Sequence, residues 1–177
     1  MAAPNNRYLG KFRGRVIDNN DPLGIGRITV QVPDVLGDEP STWALPCLPF
    51  TGQEAGHVVV PAKDAGVWVE FEQGDPSFPV WTGCWYGERT ELPPDARREL
   101  ARPSALKPVV VQTQLAHKLV MNDVTGADEG ILLQAKNGAY IRITEGAIVI
   151  AAGEARITLQ DGHVIVNEGQ LTVQPKR

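Results

Sequence analysis

Basic residues are not in excess in this sequence. Its 177 residues include 17 Lys and Arg against 21 Asp and Glu, which gives a formal net charge of -4 at pH 7. Proteins that bind the phosphate backbone of nucleic acids usually carry concentrated positive charge. The composition therefore disfavours general nucleic-acid binding.

Long apolar segments are also lacking. No run approaches the roughly 18 consecutive apolar residues that indicate a membrane-spanning helix. Residues 1–7 have no basic start followed by an apolar stretch, which is the pattern of a secretory signal. We therefore expect a protein that is made in the cytoplasm and does not span a membrane.

Cysteine and histidine are scarce. The two cysteines, Cys47 and Cys84, and the three histidines, His57, His117 and His163, are spread over different segments. Their spacing matches no metal-ligand pattern. The cysteines are predicted to be unpaired and buried, and the histidines to have surface or packing roles. We expect no metal site, no cofactor and no catalytic residue.

Helical periodicity is almost absent from residues 1–87, where short strand-like runs alternate with Gly and Pro turns. Strands are predicted at 8–17, 25–32, 43–48, 67–72 and 79–85. Pro46 cannot donate a ladder hydrogen bond, so the third strand should lie at a sheet edge. Five short strands with such turns predict an all-β fold that begins with a small five-stranded barrel.

Residues 88–108 differ in composition from both neighbouring segments. They are charged and contain Pro93, Pro94, Pro103 and Pro108. Proline fixes φ and removes a backbone donor, so such a segment is typically semi-extended. We expect a linker here, with a short helix at 95–101.

Residues 109–177 form a repetitive tail of short apolar strands. Glycines at 138, 146, 153, 162 and 169 are separated by 8, 7, 9 and 7 residues, and a polar turn accompanies each. A strand of about five residues followed by a turn of about three, repeated, indicates a β-solenoid or β-prism.

One copy of this tail has too little interior to bury its own apolar residues. Three copies facing inward would form a continuous core and would limit exposed strand edges. We therefore expect an intertwined trimeric β-helix or prism rather than a single-chain β-helix. The predicted trimer-core residues are Ile141, Ile143, Ile148, Ile150, Ile157, Leu159, Leu171 and Val173.

The first 87 residues resemble a known family through segments 14–18, 21–22, 26–33, 52–56, 66–83 and 85–87, together with Trp43 and Pro61. The most specific residues are Phe71, Glu72, Gly74, Asp75, Pro76, Pro79 and Gly83. They are similar to the oligonucleotide/oligosaccharide-binding (OB) type barrel of central spike proteins in contractile injection machines. That family includes phage baseplate assembly protein V and the valine-glycine-repeat spikes of type VI secretion. In the tail, residues 119–123 with Gly126 and Glu129 resemble the start of the spike blade.

The resemblance implies a structural protein at the centre of a baseplate. It would be a homotrimeric needle that pierces the target envelope and touches its membrane transiently. The barrels would form a collar on a separate hub protein, and a tip protein of the proline-alanine-alanine-arginine (PAAR) type would cap the C-terminal end. The protein would be made in the bacterial cytoplasm and assembled into a phage tail or a tail-like injection particle.

The sequence departs from the family pattern in two ways, because the glycine steps do not form strict valine-glycine octads and no His-x-His pair lies near the C-terminus. A metal-bound tip is therefore not expected. Residues 88–108 are also too few to form a peptidoglycan-cleaving domain.

An alternative reading is an OB-fold module for nucleic acid or sugar with an adhesive β tail. Trp43, Trp68, Trp81 and Trp85 could then stack on bases or sugar rings. Such aromatics more often fill a core or an interface. The Asp75–Pro76 pair is typical of a turn rather than of acid–base catalysis.

Overall fold

A computed structural model describes residues 7–173, with side chains described as far as Leu171. The chain divides into two compact units, Met1–Glu88 and Arg89–Arg177. Strands dominate both units, so the predicted all-β fold is confirmed. No helix in the described part of the chain is long and apolar enough to cross a membrane.

Among its described residues, the N-terminal unit contains seven strands and one short α-helix. They are Phe12–Asp18 (β1), Thr29–Gln31 (β2), Pro33–Leu36 (α1), Leu45–Pro46 (β3), Thr51–Gly52 (β4), Ala55–Gly56 (β5), Gly66–Phe71 (β6) and Pro79–Trp85 (β7). Five of the strands form one sheet in the order β2-β1-β6-β7-β3, while β4 and β5 form a separate hairpin. The third strand lies at a sheet edge, as Pro46 predicted, and runs parallel to β7.

A pair of hydrogen bonds curls this sheet into the expected OB-type barrel. The amide of Ile28 donates to the carbonyl of Ala44 at 3.2 Å, and the amide of Ala44 donates back at 2.8 Å. These residues precede β2 and β3, the two edge strands, so the bonds bring the edges together. Strands β2 and β3 are shorter than the sequence predicted, because irregular turns occupy their flanks.

The barrel core is built from alternating inward positions on these strands. β-Branched residues suit such positions because they pack well on a pleated surface. The buried residues are Val16, Ile28, Val30, Val32, Ala44, Val67, Val69, Phe71 and Trp81. The indole of Trp81 also donates to the carbonyl of Gly26 at 3.2 Å, so its polar atom is satisfied inside the core.

In the part that the structure describes, the C-terminal unit contains one α-helix and eight strands. They are Pro94–Leu100 (α2), Val109–Gln112 (β8), Lys118–Asn122 (β9), Gly130–Gln134 (β10), Tyr140–Ile143 (β11), Ala147–Ala152 (β12), Ala155–Gln160 (β13), His163–Val166 (β14) and Leu171–Val173 (β15). The strands form one antiparallel sheet in strict chain order. Each strand from β9 to β14 already has both backbone edges paired within the chain, so this pairing fits a prism of separate sheets.

Within residues 7–173, short helical turns interrupt the two units at three places. One-turn 3₁₀ segments lie at Glu72–Gly74, Arg89–Glu91 and Asn167–Gly169. The second of these and α2 lie within residues 88–108, and α2 occupies the place where the sequence predicted a short helix. Pro94 stands in the first turn of α2, where its missing N–H costs nothing.

The two cysteines are unpaired, but both are exposed. The prediction that they are buried was therefore wrong. Cys47 directly follows the two-residue strand β3, and Cys84 is the penultimate residue of β7. Both lie at strand ends, where the sheet gives less cover than in its middle.

Candidate trimer interface on the C-terminal sheet

Strand register aligns aliphatic residues into two columns across the C-terminal sheet. Residues directly opposite each other in neighbouring strands lie on the same face. The columns run Val109, Met121, Ile131, Ile143, Ile148, Leu159, Val164, Val173 and Val111, Leu119, Leu133, Ile141, Ile150, Ile157, Val166, Leu171. All eight predicted core residues belong to these columns.

The columns are open to solvent in the single chain. Thirteen of their side chains are between 36% and 58% exposed, while Leu119 and Val166 are half-buried. The side chain of Val173 lies outside the described residues. Soluble monomers rarely expose a contiguous apolar surface of this extent, so the face requires a covering partner.

The sequence prediction missed half of the residues in the two columns. The additional positions are Val109, Val111, Leu119, Met121, Ile131, Leu133, Val164 and Val166. The signal that could have found most of them is the same two-residue alternation, which starts in β8 before the regular glycine spacing begins.

The opposite face of the sheet is covered in part by α2. The ammonium group of Lys118 on β9 pairs with Asp95 of α2 at 2.5 Å. The guanidinium of Arg98 contacts Asp95 and Asp128, each at 3.2 Å. A cleft of about 340 Å³ separates the helix from β9, β10 and β11. These contacts lie on the opposite face and leave the apolar columns free.

A buried carboxylate also stabilises α2. Glu99 is 3% exposed, and its two oxygens accept hydrogen bonds from Arg98 at 2.8 Å and from Arg102 at 3.0 Å. A buried charge is tolerated only when it is paired in this way. The bond from Glu99 raises the pKa of Arg98 above its ordinary value.

The family-motif residues form the turn between β6 and β7. The amide of Ser77 donates to the carboxylate of Asp75 at 2.9 Å, and the amide of Glu72 donates to the carbonyl of Phe78 at 3.0 Å. Both acidic residues are exposed, and Pro76 lies within the same turn. The chemistry of these residues is therefore that of a turn.

The remaining motif residues position the ends of this hairpin. Phe71 and Pro79 are buried where β6 ends and β7 begins, and Gly83 lies beside the bulge in β7. Gly74 has a φ of +79°, and a Cβ there would lie 2.9 Å from the Cβ of Arg7. Its carbonyl accepts a bond from the amide of Tyr8 at 2.9 Å. The motif thus fixes the chain just before β1.

The tryptophans do not form one stacking platform. Trp81 is in the barrel core, and the guanidinium of Arg27 lies 5.4 Å from the ring of Trp43. Trp68 and Trp85 lie 6.4 Å apart at a tilt of 52°, with the guanidinium of Arg13 over both rings. Cation–π contacts of this kind are typical of packing at a protein surface.

The histidines are far apart in the sequence and none belongs to a metal-binding group. Among the described residues, no group of three His, Cys, Asp or Glu side chains could hold a metal ion. The imidazole Nδ1 of His163 lies 2.8 Å from the carbonyl oxygen of Asp161, within its own turn.

Two family models match the chain and together span most of it. The model for the type VI secretion system/phage-baseplate injector OB domain matches residues 12–86. The model for the phage baseplate V C-terminal trimerisation domain matches residues 108–172. The chain belongs to the baseplate spike protein family. A search of curated proteins found no match.

Family membership assigns a role to each half of this spike-family chain. The first match begins with β1 and ends just after β7, so it covers the barrel. The second covers the sheet with the two apolar columns and supports a homotrimer. Both matched families are structural baseplate domains, which gives the protein a structural role in a phage tail or injection particle.

Proposed function

We propose that three copies of this chain join through the two apolar columns to form the homotrimeric needle of a baseplate spike. The observation that carries the proposal is the continuous apolar face, which crosses all eight strands and is open in the single chain. Seven strand spacings of about 4.8 Å make this face roughly 34 Å long.

The energetics favour closure into a trimer. Covering a half-exposed aliphatic side chain contributes on the order of 1 kcal/mol. Thirteen such side chains in each copy are exposed, so their combined contribution exceeds the entropic cost of association. The helix α2 occupies the opposite face, which leaves the columns as the side that turns inward.

The needle pierces the target envelope and carries a tip protein. Backbone hydrogen bonds between consecutive strands run along the long direction of the sheet, so an axial load is shared among many bonds. The strand β15 ends the sheet and offers three symmetry-related edges to a PAAR-type tip. The barrels rest on a separate hub protein, and the target membrane is contacted only during penetration.

The substitution Ile150→Asp tests the trimer. It places three charges in one dry layer of the proposed core, so we expect the trimer to be lost. Thr158→Asp is the matched control, since Thr158 lies on the opposite face of the neighbouring strand. Size-exclusion chromatography with light scattering measures the mass of wild type and both variants.

A trimer for the wild type and Thr158→Asp, with monomeric Ile150→Asp, supports the proposal. A monomeric wild type that binds oligonucleotides would instead support the alternative binding module. A trimer that survives Ile150→Asp would show that another face forms the core.

A further inference from the structure

Charges of opposite sign stand at the two ends of two strands in the C-terminal sheet. Glu129 precedes β10 and Lys136 follows it, while Arg156 stands near the start of β13 and Asp161 follows its end. These strands have 5 and 6 residues, so their ends are roughly 16–20 Å apart. Within one copy the opposite charges are too distant to pair.

The side chains keep these charges available for an external partner. The ion pairs formed among residues 7–171 involve none of the four. Lys136, Arg156 and Asp161 are exposed. The charged groups of Arg156 and Asp161 have uncharged hydrogen-bond partners, namely the hydroxyl of Tyr140 at 3.3 Å and the side-chain amide of Gln160 at 3.2 Å.

Threefold symmetry brings the two ends of the same strand together. A closed trimer is generated by rotation alone, so each strand lies at the same height in all three copies. At every corner, the edge where a strand starts in one copy adjoins the edge where it ends in the next. A charge before a strand therefore meets the charge after that strand in the neighbouring copy.

We propose that ion pairs between copies close the corners of the trimer, Glu129 with Lys136 and Arg156 with Asp161. The partner is a second copy of this chain, so the inference rests on the homotrimer proposed above. Charge complementarity of this kind fixes register and partner more than it adds affinity.

The same rule excludes β9 and β12 from this kind of pairing. Lys118 and Asp123 flank β9 with opposite signs, but Lys118 is already paired with Asp95. Glu145 and Glu154 flank β12 with like charges. The corner beside β12 is therefore repulsive in the natural sequence.

Charge reversal in the full-length protein tests the proposed ion pair between Glu129 and Lys136, at the corner beside β10. Lys136→Glu should weaken trimer association about tenfold at low salt, because three symmetry-related pairs change together. The double variant Glu129→Lys, Lys136→Glu should recover most of that loss. Urea-induced dissociation, monitored by light scattering, measures the stability of the trimer in both variants. In 1 M NaCl, where the screening length is about 3 Å, the differences should disappear.

The repulsive corner gives a prediction of the opposite sign. Glu154→Lys should raise the urea midpoint of dissociation at low salt, because it converts three repulsions into attractions, and misfolding cannot produce such a gain. Asp38→Lys is the control, since it makes the same charge change at an exposed site in the barrel unit.

Each outcome decides between the two proposals. If the wild type is a monomer, the proposed needle fails first. The wild type could instead be a trimer in which the double variant Glu129→Lys, Lys136→Glu is less stable than Lys136→Glu alone, and in which Glu154→Lys behaves like Asp38→Lys. That result would overturn only the corner ion pairs.

Discussion

Asp21 organises the loop between β1 and β2 through one carboxylate. It accepts hydrogen bonds from the amides of Leu23, Ile25 and Arg27 at 3.0, 2.9 and 3.2 Å. The guanidinium of Arg27 adds two more, at 3.0 and 2.6 Å. The bond from Arg27, followed by those from the backbone, holds the pKa of Asp21 well below its ordinary value.

This carboxylate predicts a pH dependence of the barrel. A carboxyl whose pKa is lower in the folded than in the unfolded state stabilises the fold fully above the unfolded pKa, about 3.9. That contribution is lost as the pH falls toward the folded pKa. We expect the urea midpoint of the barrel, read by tryptophan fluorescence, to fall from pH 5 to pH 2.

Asp21→Asn should lower the urea midpoint of the barrel at pH 7 and should reduce the fall of that midpoint between pH 5 and pH 2. Asp38→Asn, at an exposed position outside the loop, should leave both nearly unchanged. Equal acid slopes in wild type and Asp21→Asn would show that other carboxyls control acid stability.

At the scale of elements, the start of β10 depends on a close backbone approach. Gly130 has a φ of +105°, and a Cβ there would collide with the carbonyl oxygen of Ile143 on β11. Gly138 has a φ of +91° but would meet nothing within 4 Å. The two glycines therefore share the conformational requirement but differ in steric room.

Alanine substitutions at these two glycines separate the cost of a positive φ from the cost of a steric collision. Gly138→Ala should cost on the order of 1 kcal/mol through its positive φ. Gly130→Ala should cost several kcal/mol, because the backbone of β11 must also move. Urea dissociation of the trimeric unit measures both, and equal costs would contradict the close approach.

Local sequence pattern predicted most strands but not the contacts made between distant parts of the chain. The alternation at Ile148 and Ile150 indicated one buried face, and the paired register supports that reading. The docking of α2 through Asp95 and Lys118 had no local signal, because it joins residues 23 positions apart. The pairing of Ile28 with Ala44, which curls the barrel, is likewise nonlocal.

At the scale of the molecule, each unit carries its own apolar cluster. The barrel core is closed within one chain, whereas the columns of the sheet require other copies. Calorimetry of the full chain should therefore show two transitions. Only the midpoint temperature of the sheet's transition should rise with protein concentration, because only that unit gains stability by association.

Val30→Ala identifies the barrel transition. Val30 is fully buried, so truncation should lower the free energy of unfolding of the barrel by about 2 kcal/mol. It should lower the midpoint temperature only of the transition that does not depend on protein concentration. A shift of both transitions would show that the two units unfold cooperatively.

The chain-order pairing of β8 to β15 makes the length of the C-terminal sheet adjustable. The backbone of each strand pairs only with strands adjacent to it in the sequence, and every turn lies at an edge of the sheet. Gaining or losing one hairpin would change the length by about 10 Å while leaving the cross-section and both columns intact. Duplicating or deleting a short stretch of sequence can therefore produce C-terminal sheets of different length.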